Sequence, residues 1–296
     1  MTTRLEQSRA TRRRRSPQRL PSRTLPTVSV VIPAYDEEAV IERCVLAAVH
    51  QTVLPAEVLV VDNRSTDRTA EVVRRLAAEH PWAPIRLVHQ DVLQGLVPTR
   101  NAGFAAATGD VLGRIDADTV VAPDWVQRVA ERMSDPGTAA LTGPVSYYDV
   151  PLRLAHRLSD HPVRRALHGL GTQYPFLYGS NMAIRASAWR TIEPTACLDP
   201  DDLLHEDIDL AIHLYQAGLR VTYAPMVRAG VSLRRLYTPP ASYWDYTHRF
   251  ERTYAQHDVS HWHLRVPPRV LRGIYWPARI GRTLLVGTPE PGEAAA

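Results

Sequence analysis

Lysine is missing from this chain, so all 35 residues counted as Lys+Arg are arginine. Chemistry that needs a lysine amine is thereby excluded: the P-loop phosphate lysine, the pyridoxal Schiff base and the kinase strand lysine. Cysteine is scarce, with Cys44 and Cys197 alone. Two are too few for a disulfide framework and point to a reducing, cytoplasmic compartment. No apolar stretch approaches the ~20 residues needed to cross a bilayer. The first 26 residues contain no apolar h-region and no small-residue cleavage site, so they do not read as a secretory signal. The body of the chain also lacks basic excess. The formal net charge of +4 hides eight Arg and one Glu in residues 1–24, which leaves the other 272 residues at −3. Nucleic acid is therefore not implied as a partner. The segment 1–26 reads as a disordered, solvated Arg-rich tail, with peripheral membrane contact on anionic lipid as its alternative role.

What is present is length enough for a large core, 296 residues, and a repeated strand and helix rhythm. Val28 to Ile32 is a β-branched apolar run suited to a strand covered on both faces. Ile41, Cys44, Val45 and Ala48 then recur at helical spacing, and Glu57 to Asp62 repeats the buried-strand pattern. A second cycle has Ser65 or Thr66 as N-cap, Ala70, Val73, Leu76 and Ala77 on one helix face, and Ile85 to His89 as the third strand. A third has Pro98 near a helix start, Gly109 after the helix, and Val111 to Ile115 as the fourth strand. Three such cycles predict an α/β fold with an open, mainly parallel sheet flanked by helices. Farther on, the pattern predicts a helix over Trp125 to Met133, a strand over Ala139 to Val145, an irregular Arg/His/Pro-rich stretch from Pro151 to Gly171, a helix over His205 to Ala217 and a strand over Arg220 to Ala224. Residues 231–296 read as a helical C-terminal extension whose aromatics Tyr243, Trp244, Tyr246, Phe250 and Tyr254 supply packing, with a frayed end at Thr288 to Ala296.

Ligands of such sheets bind beyond the carboxyl ends of the strands, and the acidic residues gather there. Asp36 and Glu37 follow the first strand, Asp62 ends the second, and Asp116-Ala117-Asp118 follows the fourth. An Asp-x-Asp triplet at a strand end can hold a hard divalent ion, Mg²⁺ or Mn²⁺, or share itself between an ion and a ribose hydroxyl; equally, such triplets cap turns. Asp62 can accept a base N–H or cap the next helix. His205-Glu206-Asp207 opens a helix, where carboxylates either balance the macrodipole or serve as a general base. His257, His261 and His263 lie close in sequence, but with no adjacent cysteine and no clear helix they fix no tetrahedral geometry, and zinc is set aside. Trp189 and Tyr178 are open between sugar stacking and core packing.

In order and in kind, Val28-Ser-Val-Val-Ile-Pro-Ala-Tyr-Asp-Glu37, Val60 to Asp67, Thr99-Arg-Asn-Ala-Gly103, Gly109 to Asp118, Gly179-Ser-Asn-Met-Ala183 and His205-Glu-Asp207 resemble the family 2 glycosyltransferases of GT-A fold. The likeness runs over residues 27 to 224. It implies a GT-A-like domain at 27–230, with a nucleotide-binding half at 27–122 and an acceptor half at 123–230. By resemblance, Pro33, Ala34, Tyr35 and Glu37 line the nucleotide pocket, Asp62 reads the base, Arg100 lies near the donor phosphates, and Asp116 with Ala117 meets the ribose and diphosphate side. Asp118, with Asp116, holds Mn²⁺ or Mg²⁺; Asp207 is the base of an inverting transfer; Gly179, Ser180, Asn181 and Glu206 border the acceptor. The partners implied are a UDP- or GDP-sugar donor and a hydroxyl acceptor. The turn Asn63-Arg64 departs from the family's commoner Asp-Gly, and the Gln-x-x-Arg-Trp motif of processive polymerases is absent, which implies transfer of a single sugar. Arg234 and Arg235 are read as a solvated pair, with a clamp on the diphosphate as the alternative. Two rival functions remain at this level. One is a haloacid-dehalogenase-like phosphohydrolase using Asp116 as nucleophile; the other is a non-catalytic nucleotide-sugar binding module.

Overall fold

The computed structural model describes residues 24–149, 153–170 and 173–286. Most of the Arg-rich segment and the end Thr288 to Ala296 lie outside them. Among the described residues, no helix is long and apolar enough to cross a membrane.

The first half follows the apolar rhythm closely. It runs β1 (Val28–Ala34), α1 (Ile41–Val49), β2 (Glu57–Asp62), α2 (Thr69–Glu79), β3 (Ile85–His89), α3 (Leu96–Ala106) and β4 (Val111–Arg114). β1 pairs in parallel with both β2 and β4, and β2 with β3. All four strands therefore end at one edge, and the register sets Ala34 beside Asp62. Side chains alternate across the sheet as the pleat requires. Val30, Ile32, Val58 and Val60 face a core shared with α1 and α2, while Val31, Leu59 and Val61 face Phe104 of α3. Gly103 of α3 lies so close to the sheet that an added Cβ would stand 2.3 Å from Val31 Cγ1. Burying each of these aliphatic side chains is worth about 1.5–3 kcal/mol.

The second half adds β5 (Val120–Val121), α4 (Trp125–Met133), β6 (Ala140–Thr142), β7 (Val145–Tyr147), α5 (Arg153–Leu170), β8 (Met182–Arg185), α6 (Ala186–Ile192), α7 (Glu206–Gln216), β9 (Val221–Tyr223) and β10 (Ala229–Val231), then α8 (Pro240–Gln256) and α9 (Val266–Val286). The main sheet has the order β3-β2-β1-β4-β8-β6-β9. Only β8 runs against its neighbours, so the sheet is mainly parallel, as the pattern predicts. A small sheet, β5-β10-β7, closes one side.

Two expectations are corrected. The single strand over Ala139 to Val145 is two short strands in different sheets. The chain breaks at Gly143-Pro144, where a Cβ on Gly143 would meet the Val227 carbonyl oxygen at 1.8 Å. The stretch read as irregular contains an 18-residue helix, α5, with Pro162 inside it. Pro162 is exposed, and packing of α5 on β7 and β9 outweighs the backbone bond the ring removes. Residue 230, the end of the domain expected from the sequence, lies within β10. Phe250 and Tyr254 of α8 share a core with Ile208 and Ile212 of α7.

Candidate functional site

The loops after β1 and β2 are laced together. Asp36 sits in the left-handed region at φ 52, and its carboxylate accepts the Thr66 N–H at 2.6 Å and the Asp67 N–H at 3.3 Å. In return Ser65 Oγ accepts the Asp36 N–H, and Thr69 Oγ1 accepts the Glu37 N–H. Ser65 and Thr66 are thus braces between loops, not caps of α2; it is Asp67 that accepts the Thr69 N–H. Arg64, where a glycine would sit without strain, also takes φ 66. Asn63 is buried and bonds the loop after β3, donating to the carbonyls of Gln90 and Leu93 and accepting the Gly95 N–H. Beside it, Asp62 is 5% exposed. Its Oδ2 lies 3.5 Å from His89 Nδ1, and its Oδ1 is buried with no hydrogen bond. A buried acceptor in that state is costly unless a donor arrives.

Asp116 and Asp118 leave β4 next to these loops. Asp116 is partly exposed, and its Oδ1 pairs with Arg114 Nη1 at 2.9 Å. Asp118 is 8% exposed. Burial first, then the charge of Asp116, pushes its carboxyl up to about 6, while Arg234 pulls it back. Arg234 Nε stands 3.1 Å from Asp118 Oδ2, and its two terminal nitrogens donate to both oxygens of Glu37 at 2.7 and 2.6 Å. Arg234 is therefore no solvated surface residue. It draws the start of the C-terminal extension onto the acidic rim. Arg235 is exposed and lies over the Tyr246 ring at 4.2 Å.

The third wall is the start of α7. Asp207 Oδ2 accepts the Gly179 N–H and Oδ1 accepts the Ile208 N–H, both at 2.8 Å. Removal from water, then the adjoining Glu206 charge, raises Asp207 to about 6 against the opposing pull of Gly179 and Arg114. Arg114 joins the walls: it pairs with Asp116 and, through Nη2, with Glu206 Oε1 at 3.0 Å. Gly179 is what lets it pass, since a Cβ there would lie 1.8 Å from Arg114 Nη1. Asp116 and Asp207 thus flank one buried guanidinium.

Three of the residues assigned by resemblance are buried in internal contacts. Arg100 is fully buried, donating to Glu206 and to Asn101, so its guanidinium has no surface to offer the donor phosphates. Glu206 is 6% exposed and serves as the shared counter-ion of Arg100 and Arg114. Asn181 is wholly buried: it accepts the Trp125 indole N–H and donates to the Pro144 and Val227 carbonyls, pinning the β6–β7 break. Pro33, Ala34 and Ala117 are buried backbone supports, whereas Tyr35 is half exposed at the rim. Gly179 and Ser180 lie beside Asp207 and Thr119, respectively. Trp189 is core, packed on Phe104 at 5.2 Å, and Tyr178 carries the Arg164 guanidinium at 3.7 Å. Arg114 is the residue that sequence reasoning passed over. An arginine inside an otherwise apolar buried strand, two positions before a carboxylate, was its only signal.

Residues 29–192 match the Glycosyl transferase family 2 model, and residues 114–278 match Glycosyl transferase family group 2. The chain belongs to glycosyltransferase family 2. Within this family it is similar to glycosyltransferase AglE of Haloferax volcanii, 34% identical over 126 residues, which cover 42% of this chain and 41% of that one. It is also similar to the probable glycosyltransferase YdaM of Bacillus subtilis, 29% identical over 212 residues, 68% of this chain and 49% of the relative. The chain spans less than half the length of these two curated relatives. Among solved structures, the mannosyltransferase PcManGT from Pyrobaculum calidifontis in complex with GDP-Man and Mn²⁺ superposes with a TM-score of 0.64 at 20% identity, over 93% of this chain and 80% of that one. GalNAc-T7 with UDP, GalNAc and Mn²⁺ gives 0.55 at 18% identity, over 70% and 43%. These likenesses show the GT-A fold shared with the family.

Proposed function

We propose that this protein is an inverting glycosyltransferase that moves one sugar from a nucleoside-diphosphate sugar to a hydroxyl acceptor. The observation that carries the reading is the common rim: Asp62, Asp116 and Asp118 at strand ends, with Asp207 joined to Asp116 across Arg114 and Gly179. Asp62 Oδ1, buried and unbonded, supports the reading as an acceptor for an N–H of the base. Carboxylate oxygens are the donor set a hard divalent ion requires, and the mutual repulsion of Asp116 and Asp118 is what such an ion relieves. The residues present fit Mn²⁺ or Mg²⁺, with Asp118 and Asp116 as its holders. A cation there supplies Lewis-acid stabilisation of the departing diphosphate. Arg234, between Glu37 and Asp118, adds a second cationic group to that side. Asp207 takes the proton of the attacking hydroxyl as the new glycosidic bond forms and the bond from anomeric carbon to phosphate oxygen breaks. Its raised proton affinity makes it a stronger base than an exposed carboxylate. The GDP-Man and UDP complexes of fold relatives support a nucleotide-sugar donor.

Hydrolysis of a panel of UDP- and GDP-sugars, with Mn²⁺ or Mg²⁺, tests this without knowledge of the acceptor. We expect turnover of at least one donor, lost on chelation and restored by the ion. Phosphate release from a generic phosphomonoester with no use of any sugar nucleotide would favour the phosphohydrolase instead.

A further inference from the structure

Cys197, Asp209, His213 and His257 come from three separate places: the segment after α6, the body of α7, and the end of α8. Each presents one ligand atom, and the four atoms lie within 4.8 Å of one another. Asp209 Oδ1 stands 2.7 Å from His257 Nε2 and 3.4 Å from His213 Nε2. Cys197 Sγ is 3.9 Å from the same His257 nitrogen. Asp209 is 2% exposed and the His257 side chain 7%. His213 Nε2 is buried and makes no hydrogen bond. Of the three clustered histidines set aside as a zinc site, only His257 belongs to this group, and Cys197 reaches it from 60 positions away in the chain. His261 and His263 are not involved. They pack against Tyr174 and Phe176.

A four-coordinate zinc ion with bonds of about 2.0–2.3 Å keeps its ligand atoms about 3.3–3.8 Å apart. The distances here reach that arrangement with side-chain shifts of roughly 1 Å or less. One sulfur, two imidazole nitrogens and one carboxylate oxygen form a borderline-soft set, suited to Zn²⁺ and poorly suited to the oxygen-seeking Mg²⁺. A thiolate and a carboxylate with two neutral imidazoles balance a divalent charge. We propose that Cys197, Asp209, His213 and His257 form a structural zinc site that clasps α8 to α7. On binding, the Cys197 S–H bond breaks, its proton passes to solvent and the sulfur lone pair forms the bond to zinc; no redox change occurs. The clasp lies two residues along α7 from Asp207, so it steadies the helix that carries the proposed base. It stands independently of the glycosyl-transfer reading, because its ligands are separate from Asp116 and Asp118.

The test uses the full chain without a histidine tag, stripped by chelator and titrated with Zn²⁺ or Co²⁺ alone. Expected are one tightly held ion per chain that survives desalting, a rise in Tm with zinc, and a cobalt spectrum with a thiolate charge-transfer band and four-coordinate visible bands. Cys197→Ser should remove the thiolate band and weaken zinc binding at least about tenfold. His257→Gln should weaken it likewise, and Asp118→Asn should leave the cobalt spectrum unchanged. A wild-type chain that takes up no stoichiometric zinc, or that gives only the six-coordinate spectrum of oxygen-bound cobalt, would overturn the proposal. So would a Cys197→Ser protein indistinguishable from wild type in both titrations. The wild-type titration alone decides the matter if a variant fails to fold.

Discussion

Asp207 carries the sharpest expectation of any single side chain. Asp207→Asn keeps one of the two backbone hydrogen bonds, since an amide offers a single acceptor oxygen, and removes the base, so turnover should fall well over tenfold while donor affinity, measured by calorimetry, stays near wild type. If turnover survives, the chain is a binding module or uses another base. The raised proton affinity of Asp207 also sets a pH limb. Protonation removes the base, so kcat/KM measured at saturating cation should decline as pH falls through about 6, well above an ordinary carboxylate. The place of Asp207 at the start of an amphipathic helix was legible in the letters, while its reading as a base came from the family resemblance. Arg114 was not legible: its role depends on Gly179 making room for it and on Glu206 arriving from a helix 92 positions later.

At the scale of elements, α7 is anchored by charge as well as by apolar packing. Glu206 is held between the buried Arg100 and Arg114, tying α3 and β4 to its first turn. Glu206→Ala leaves the buried Arg100 without a counter-ion and Arg114 with Asp116 alone, and we expect a loss of about 3–5 kcal/mol, read as a lower urea midpoint. Just before it, His205 lies edge-on to Tyr246 at 4.7 Å and Phe250 at 4.1 Å. Burial, then the cationic Arg249 and Arg235, depresses this imidazole to about 3. The folded state therefore holds His205 neutral where the unfolded chain protonates it. Its stabilisation is complete above about pH 6.5 and declines toward pH 3, at up to about 1.4 kcal/mol per pH unit. Comparing urea midpoints at pH 7 and pH 5 should show a steeper fall for wild type than for His205→Gln. The regular βα cycles were readable because each strand and helix buries its own local pattern. α5 escaped because its polar, Pro-containing sequence becomes helical against partners supplied by β7 and β9.

Across the whole molecule, the C-terminal extension completes the candidate site. Arg234 reaches Glu37, nearly two hundred positions away, and Asp118. Arg234→Ala should raise the donor KM by about tenfold or more, since a charge-assisted contact of this kind is worth about 1.5–3 kcal/mol. An unchanged KM would confine Arg234 to a structural role. The open, mainly parallel sheet, its strand ends and the acidic loops beyond them follow from the sequence alone, because hydrophobic period and strand-end polarity are local properties of the chain. Which polar residues face a ligand and which are buried counter-ions was decided only by tertiary structure. Arg100, Glu206 and Asn181 carry motif-like letters yet spend their hydrogen bonds inside the protein, whereas Arg234 and the Cys197 cluster gain meaning only when distant helices close on them. Pairing between buried charges depends on distance in space, and sequence spacing holds no record of it.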